Sequence, residues 1–146
     1  MSKKNDFKKQ IYGNPNWING RINRAEYIIR TILTGITFGF SFIGATTLYV
    51  MGMMIPAILV GIFALWMYWR IVMAYVKRLH DLGWNGWLAV LLVVYEFEYN
   101  LIKNDTLSLA FELLVVVLSL FLALRKGDDG ANKYGKDPLM KYEENQ

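Results

Sequence analysis

The chain of 146 residues has no cysteine, one histidine and three prolines, and only 19% of its residues are charged. Each shortage removes a class of function. Without cysteine there is no disulfide framework, no thiolate nucleophile and no Cys-type zinc site. A single histidine, His80, cannot build a metal site from histidines alone. Soluble domains carry about 25% charged residues, so the charge content is low as well. The positional absence is the most informative. Residues 31–69 contain no Asp, Glu, Lys, Arg or His, a run of 39 positions between Arg30 and Arg70.

What fills the gap is apolar. Hydrophobic residues make up 55% of the chain and the mean hydropathy is +0.26. A membrane-crossing helix needs about 20 apolar residues, so the charge-free run fits two spans. Gly52 and Pro56 mark the turn between them. The first span is predicted at about 27–50 and the second at about 55–75. A third, at about 84–102, must accommodate Glu96 and Glu98. Lys103-Asn104-Asp105-Thr106 is a polar turn, and a fourth span follows at about 107–124, interrupted by Glu112. Four such segments leave too little polar chain to cover them in water. The expected fold is therefore all-α, an integral membrane four-helix bundle, with an arm and interfacial segment at 1–26, the membrane domain at 27–124 and a loop and tail at 125–146. No secretory signal peptide is expected, because the first apolar stretch starts late and is too long for an h-region.

Charge sets the orientation. Fifteen of the 16 basic residues lie on one side of the four spans, with only Lys103 on the other. That side has eight acidic residues, a balance of +7. The outer half sets Lys103 against Glu96, Glu98, Asp105 and Glu112, a balance of −3. The positive-inside rule then places both termini and the central link in the cytoplasm. The pI of about 9.3 belongs to a membrane face, so nucleic acid is not the expected partner.

Within the spans, Gly35 and Gly39, and again Ala57 and Gly61, have the small-x-x-x-small spacing that lets helix backbones approach closely. Packing of spans one and two in one chain is the simpler use; a homo-oligomer is the alternative. Arg30 and Arg70 sit at helix ends and can snorkel. Glu96 and Glu112 fall at similar predicted depth on adjacent spans. Intramembrane carboxylates mark proton or cation paths, but an outer-interface position explains them as well. Trp17, Trp66, Trp69, Trp84 and Trp87 fall near the basic boundary as an aromatic belt. Residues 4–12 form either a short interfacial amphipathic helix or a basic arm.

Three polar motifs share the basic side. In the first, Gly20-Arg21-Ile22-Asn23-Arg24-Ala25-Glu26-Tyr27, Asn23 and Glu26 have capping-box spacing, and Arg21 and Arg24 sit where a helix N-terminus favours an anion. The second, Lys77 to Trp87, joins spans two and three and contains Arg78, His80, Asp81, Gly83, Gly86 and Trp87. Adjacent His80 and Asp81 are poorly placed for a relay, and no nucleophile accompanies them. Asp81 is expected to close the loop, with Arg78 and His80 as anion-binding candidates. The third, Lys126 to Pro138, is a turn-rich loop containing Asn132, Tyr134 and Gly135. Its Asp128-Asp129 pair lacks the spacing of a calcium loop.

G-R-I-N-R-x-E-Y, R-L-H-D-x-G-x-x-G-W and G-x-N-K-Y-G-x-D-P, in that order around four spans, resemble the domain-of-unknown-function 805 family of small bacterial inner-membrane proteins over about residues 17–139. The chain departs from that pattern at Ile28, where Trp is frequent, at Trp84-Asn85, where a basic residue and Ser are common, and in span three, which has Glu96 and Glu98 and no Pro. The resemblance implies a four-span helical protein of the bacterial plasma membrane and no established activity, catalytic residue or cofactor. The reading is of a non-enzymatic module whose cytoplasmic cap binds anionic lipid headgroups or a membrane protein partner through Arg21, Arg24, Arg78 and His80. The alternative is a small proton- or cation-coupled transporter using Glu96 and Glu112. No metal or cofactor is expected.

Overall fold

The computed structural model describes residues 20–91, 93, 94 and 105–140. Its regular elements are α1 (Arg24–Val50), α2 (Met54–Asp81), a 3-10 turn (Gly86–Ala89) and α3 (Asp105–Leu124). The three α-helices are long and apolar enough to cross a bilayer. The body of the expected third span, with Glu96 and Glu98, lies outside the described residues, as do residues 1–19. Its beginning is seen: Asn85 caps the 3-10 turn by accepting from Trp87 N–H at 3.2 Å, and residues 90, 91, 93 and 94 are helical.

α1 starts where its cap dictates. Asn23 is extended, and its side-chain oxygen accepts from Glu26 N–H at 2.8 Å, satisfying one of the unpaired donors of the first turn. The hydroxyls of Thr34, Thr37, Ser41 and Thr47 bond the carbonyl four residues back at 2.5–2.8 Å, which hides their polarity from an apolar surround. The helix ends in a Schellman motif. Gly52 N–H donates to Tyr49 O and Met53 N–H to Leu48 O, both at 3.0 Å, with Gly52 at φ +77°. Pro56 sits in the first turn of α2, where a missing N–H removes no intrahelical bond. Gly52→Ala puts a side chain at a left-handed position and is expected to destabilise by about 1 kcal/mol. A lowered thermal midpoint in detergent, with unchanged size-exclusion behaviour, checks this.

α2 is longer than the sequence pattern suggested. It has 28 residues, whereas a span needs about 20. The reading that ended it at 75 is corrected: Val72, Tyr75, Val76 and Leu79 continue one buried face at i, i+3, i+4 and i+7, so the helix persists to Asp81. Lys77 to Asp81 of the second motif therefore form the last helical turn, beyond the charge-free stretch that ends at Trp69. A second Schellman motif stops the helix. Gly83 N–H donates to His80 O at 3.1 Å and Trp84 N–H to Leu79 O at 2.9 Å, with Gly83 at φ +71°.

Packing divides the bundle into two regimes. At the charged end, Ile22, Tyr27, Val72, Tyr75, Leu79, Leu82 and Leu122 form one buried cluster. Away from it the helices present large apolar side chains outward, among them Leu33, Phe40 and Val50, the last 84% exposed. An apolar all-round exterior of this kind suits lipid rather than water. Of the small residues singled out above, Ala57 is buried, while the three glycines are not points of close approach between the described helices. A Cβ added at Gly35, Gly39 or Gly61 would meet nothing within 4 Å among the described residues, whereas one at Gly44 would meet Val60 at 3.8 Å. Aromatic pairs set the spacing nearer the charged end, Tyr27 against Tyr75 at 5.4 Å and Phe38 against Tyr68 at 5.8 Å. The buried stripe of α2 in the apolar half is Ala57, Ala64 and Met67.

Candidate functional site: a buried arginine–aspartate latch

The three polar motifs meet at the charged end. Arg21 precedes α1, Arg78 and Asp81 lie on the last turn of α2, and the loop 125–138 follows α3. Arg21 approaches Asp81 Oδ1 through Nε and a terminal nitrogen, both at 3.0 Å. Arg78 bonds the other carboxylate oxygen. All three side chains are buried, Arg78 completely.

The remaining guanidinium donors go to main-chain carbonyls. Arg21 donates to Gly130 O and Asp128 O, each at 2.5 Å. Arg78 Nε donates to Leu122 O at 2.8 Å, and another of its nitrogens to Arg125 O. Arg78 therefore caps the last carbonyls of α3, which have no intrahelical partner. The carbonyls ending α2 are met from the same loop: Asp81 O accepts from Asp128 N–H at 2.8 Å, and His80 O from Asn132 Nδ2 at 2.9 Å. Asn132 Oδ1 in turn accepts from Tyr134 N–H at 2.9 Å, and Asn132 and Gly135 form a two-residue bridge.

The charges balance locally. Two guanidinia against one carboxylate leave a surplus of one positive charge. The C-terminal ends of α2 and α3 both point here, each equivalent to roughly −0.5 charge. Burial pushes the Asp81 pKa up, and the two arginines oppose that rise. The carboxylate is the form that accepts from all the donors aimed at it.

His80 is buried and stacks flat on Tyr134, with ring centres 3.8 Å apart and planes 6° from parallel. Its Nδ1 has no hydrogen-bond partner among the described residues. Burial pushes the imidazole's pKa down, the Gly20 backbone opposes this, and Lys133 and Lys77 add to the lowering. The ring is thus neutral near pH 7 and supplies no cation to an anion.

Arg21, Arg78, His80, Asp81 and Asn132 come together, then, but they satisfy one another. Arg24 is exposed on the first turn of α1 and makes no hydrogen bond or ion pair to Arg21, Arg78 or Asp81. Trp87 is 77% exposed. Glu112 is exposed on α3, seven residues from its start, and Glu96 is outside the described residues, so no described carboxylate pair defines a transport path.

Sequence reasoning missed the residue with the tightest constraint, Gly127. A Cβ there would lie 2.0 Å from Asp81 Oδ2. Gly83 and Gly86 are similarly hemmed in: a Cβ would meet Asp128 at 2.6 Å in one case and His80 Nε2 at 2.9 Å in the other. Asp137 was also missed. Its carboxylate accepts from Gly130 N–H at 3.0 Å and Leu139 N–H at 2.9 Å, which holds the loop's shape.

Lipid-length apolar helices closed at one end by a buried latch define a multi-pass integral membrane protein. Residues 17–136 match the family described as Protein of unknown function (DUF805), and the chain belongs to that family. The match takes in Arg21, the Arg78–Asp81 turn and the loop to Gly135, so the latch lies wholly inside the family's extent. Comparison with curated proteins and with solved structures finds no match.

Proposed function

We propose that the protein is a four-span, non-enzymatic module of the bacterial plasma (inner) membrane, with both termini cytoplasmic, whose latched cap engages anionic lipid headgroups. One observation supports this above others. The buried arginines are consumed within the protein, while Arg24, Arg125, Lys133 and Lys136 are exposed at the same end. The binding role expected of Arg21, Arg78 and His80 therefore passes to these exposed cations, and the latch serves to hold them in place.

Each basic side chain near an anionic surface contributes about 1 kcal/mol, screened within a Debye length. The triple variant Arg24→Gln, Lys133→Gln, Lys136→Gln is thus expected to bind anionic lipid at least about tenfold more weakly. The check is titration of the detergent-solubilised full chain with phosphatidylglycerol or phosphatidylcholine. Equal binding of the two lipids by the unaltered protein overturns the lipid reading and leaves a protein partner as the use of the cap.

A further inference from the structure

Arg125, the first residue after α3, differs from the other exposed cations in how it is held. Its guanidinium lies over two rings at once, 5.5 Å from the centre of Trp84 and 5.3 Å from that of Phe121. Those rings stack on each other at 5.5 Å with planes 22° apart. Its main chain is fixed at both ends: the N–H donates to Phe121 O at 3.0 Å and the carbonyl accepts from Arg78. No carboxylate or carbonyl among the described residues takes a hydrogen bond from the guanidinium. The nearest carboxylates along the chain are engaged. Asp129 pairs with Lys126 at 2.7 Å, and Asp128 accepts from Asn132 at 3.4 Å.

A guanidinium held against aromatic rings, with no hydrogen-bond acceptor of its own among the described residues, keeps its planar fork of N–H donors for a ligand, and that fork matches a phosphate. Trp84 and Phe121 stand where apolar helix gives way to polar loop, which in the orientation proposed above is the level at which a lipid's phosphate meets its glycerol. We infer that Trp84, Phe121 and Arg125 form a seat for the phosphodiester of a net-anionic lipid of the cytoplasmic leaflet. This rests on the orientation and lipid reading proposed above, and it assigns one headgroup to one place on the cap. The rings support the guanidinium and cover the glycerol region, and the guanidinium edge donates to the phosphate oxygens. Arg125 contributes no side-chain hydrogen bond to the latch, so its substitution leaves the latch intact.

The test is native mass spectrometry of the full chain released from detergent micelles containing phosphatidylglycerol or phosphatidylcholine. Charge-assisted hydrogen bonds to one phosphate correspond to a loss of about tenfold or more, so Arg125→Gln is expected to reduce retained phosphatidylglycerol by that factor. Arg125→Lys, which keeps the charge and loses the fork, is expected to fall between. Arg30→Gln, with the same change in net charge, is expected to retain lipid like the unaltered protein. Retention by Arg125→Gln within twofold of the unaltered protein, or an equal loss in Arg30→Gln, overturns the seat. Displacement of the lipid by excess inorganic phosphate overturns the lipid as the source of the phosphate. If the unaltered chain fails to prefer phosphatidylglycerol, the broader proposal falls. If it prefers it and Arg125→Gln does too, only the seat falls.

Discussion

Asp81→Asn is expected to abolish recovery of a monodisperse protein in detergent. The substitution keeps the shape of the side chain and removes the one carboxylate between two buried guanidinia. An amide offers a single acceptor oxygen and turns an NH2 group toward a donor. Arg21 and Arg78 then face each other with their charges uncompensated, in a place they cannot leave without releasing the carbonyls of Leu122, Asp128 and Gly130. Breaking a buried pair by removing one partner costs about 3–5 kcal/mol, against a total stability of about 5–15 kcal/mol for a domain. Size-exclusion chromatography and thermal unfolding in detergent measure the outcome. A variant that elutes like the unaltered protein and melts within a few degrees of it would show that the latch does not hold the cap together.

Gly127→Ala is expected to be as damaging, although it adds one methyl group and changes no charge. Its Cβ would lie 2.0 Å from Asp81 Oδ2, and that oxygen is pinned by Arg78. The neighbour is not the loose end of a flexible chain, so the loop must move instead, pulling Asp128 N–H off the end of α2 and its carbonyl off Arg21. We expect a loss of about 3 kcal/mol or more, the range of a broken buried network. We also expect proteolytic cleavage between residues 125 and 140, sites that the unaltered protein protects. Gly35→Ala is the matched comparison. It makes the same chemical change where a Cβ meets nothing within 4 Å among the described residues, so it should keep the protection. Equal resistance in Gly127→Ala would mean that the loop tolerates displacement from the carboxylate.

Both variants act on contacts that the sequence alone does not make legible. Local rules were readable. Asn23 and Glu26 announced a helix start by type and spacing, and Gly52 announced a helix stop. The four-span count came from composition, and three of those spans correspond to helices long enough to cross. The end of α2 was also written in the sequence, as the 72-75-76-79 periodicity, but the charges of Lys77 and Arg78 obscured it. The latch was beyond reach for a different reason. Arg21 and Asp81 are 60 residues apart, and most of the acceptors for Arg21 and Arg78 are main-chain carbonyls, which every residue possesses. Nothing in the identity of Leu122 or Gly130 says that its carbonyl faces an arginine. Gly127 was invisible likewise, because its requirement comes from a carboxylate on α2 and not from its own backbone angles.

The latch also has a consequence in time. It joins the stretch before α1 to the loop after α3, Arg21 to Gly130. A chain emerges from the ribosome N-terminus first, so Arg21, Arg78 and Asp81 are made well before the carbonyls and the glycine that complete their surroundings. Until residue 127 and the loop beyond it arrive, the two arginines and the aspartate must remain hydrated at the membrane surface. Closure therefore cannot precede synthesis of the loop after α3. In the topology proposed above, a chain that mis-inserts one helix would place its tail on the other side of the bilayer and leave the latch open.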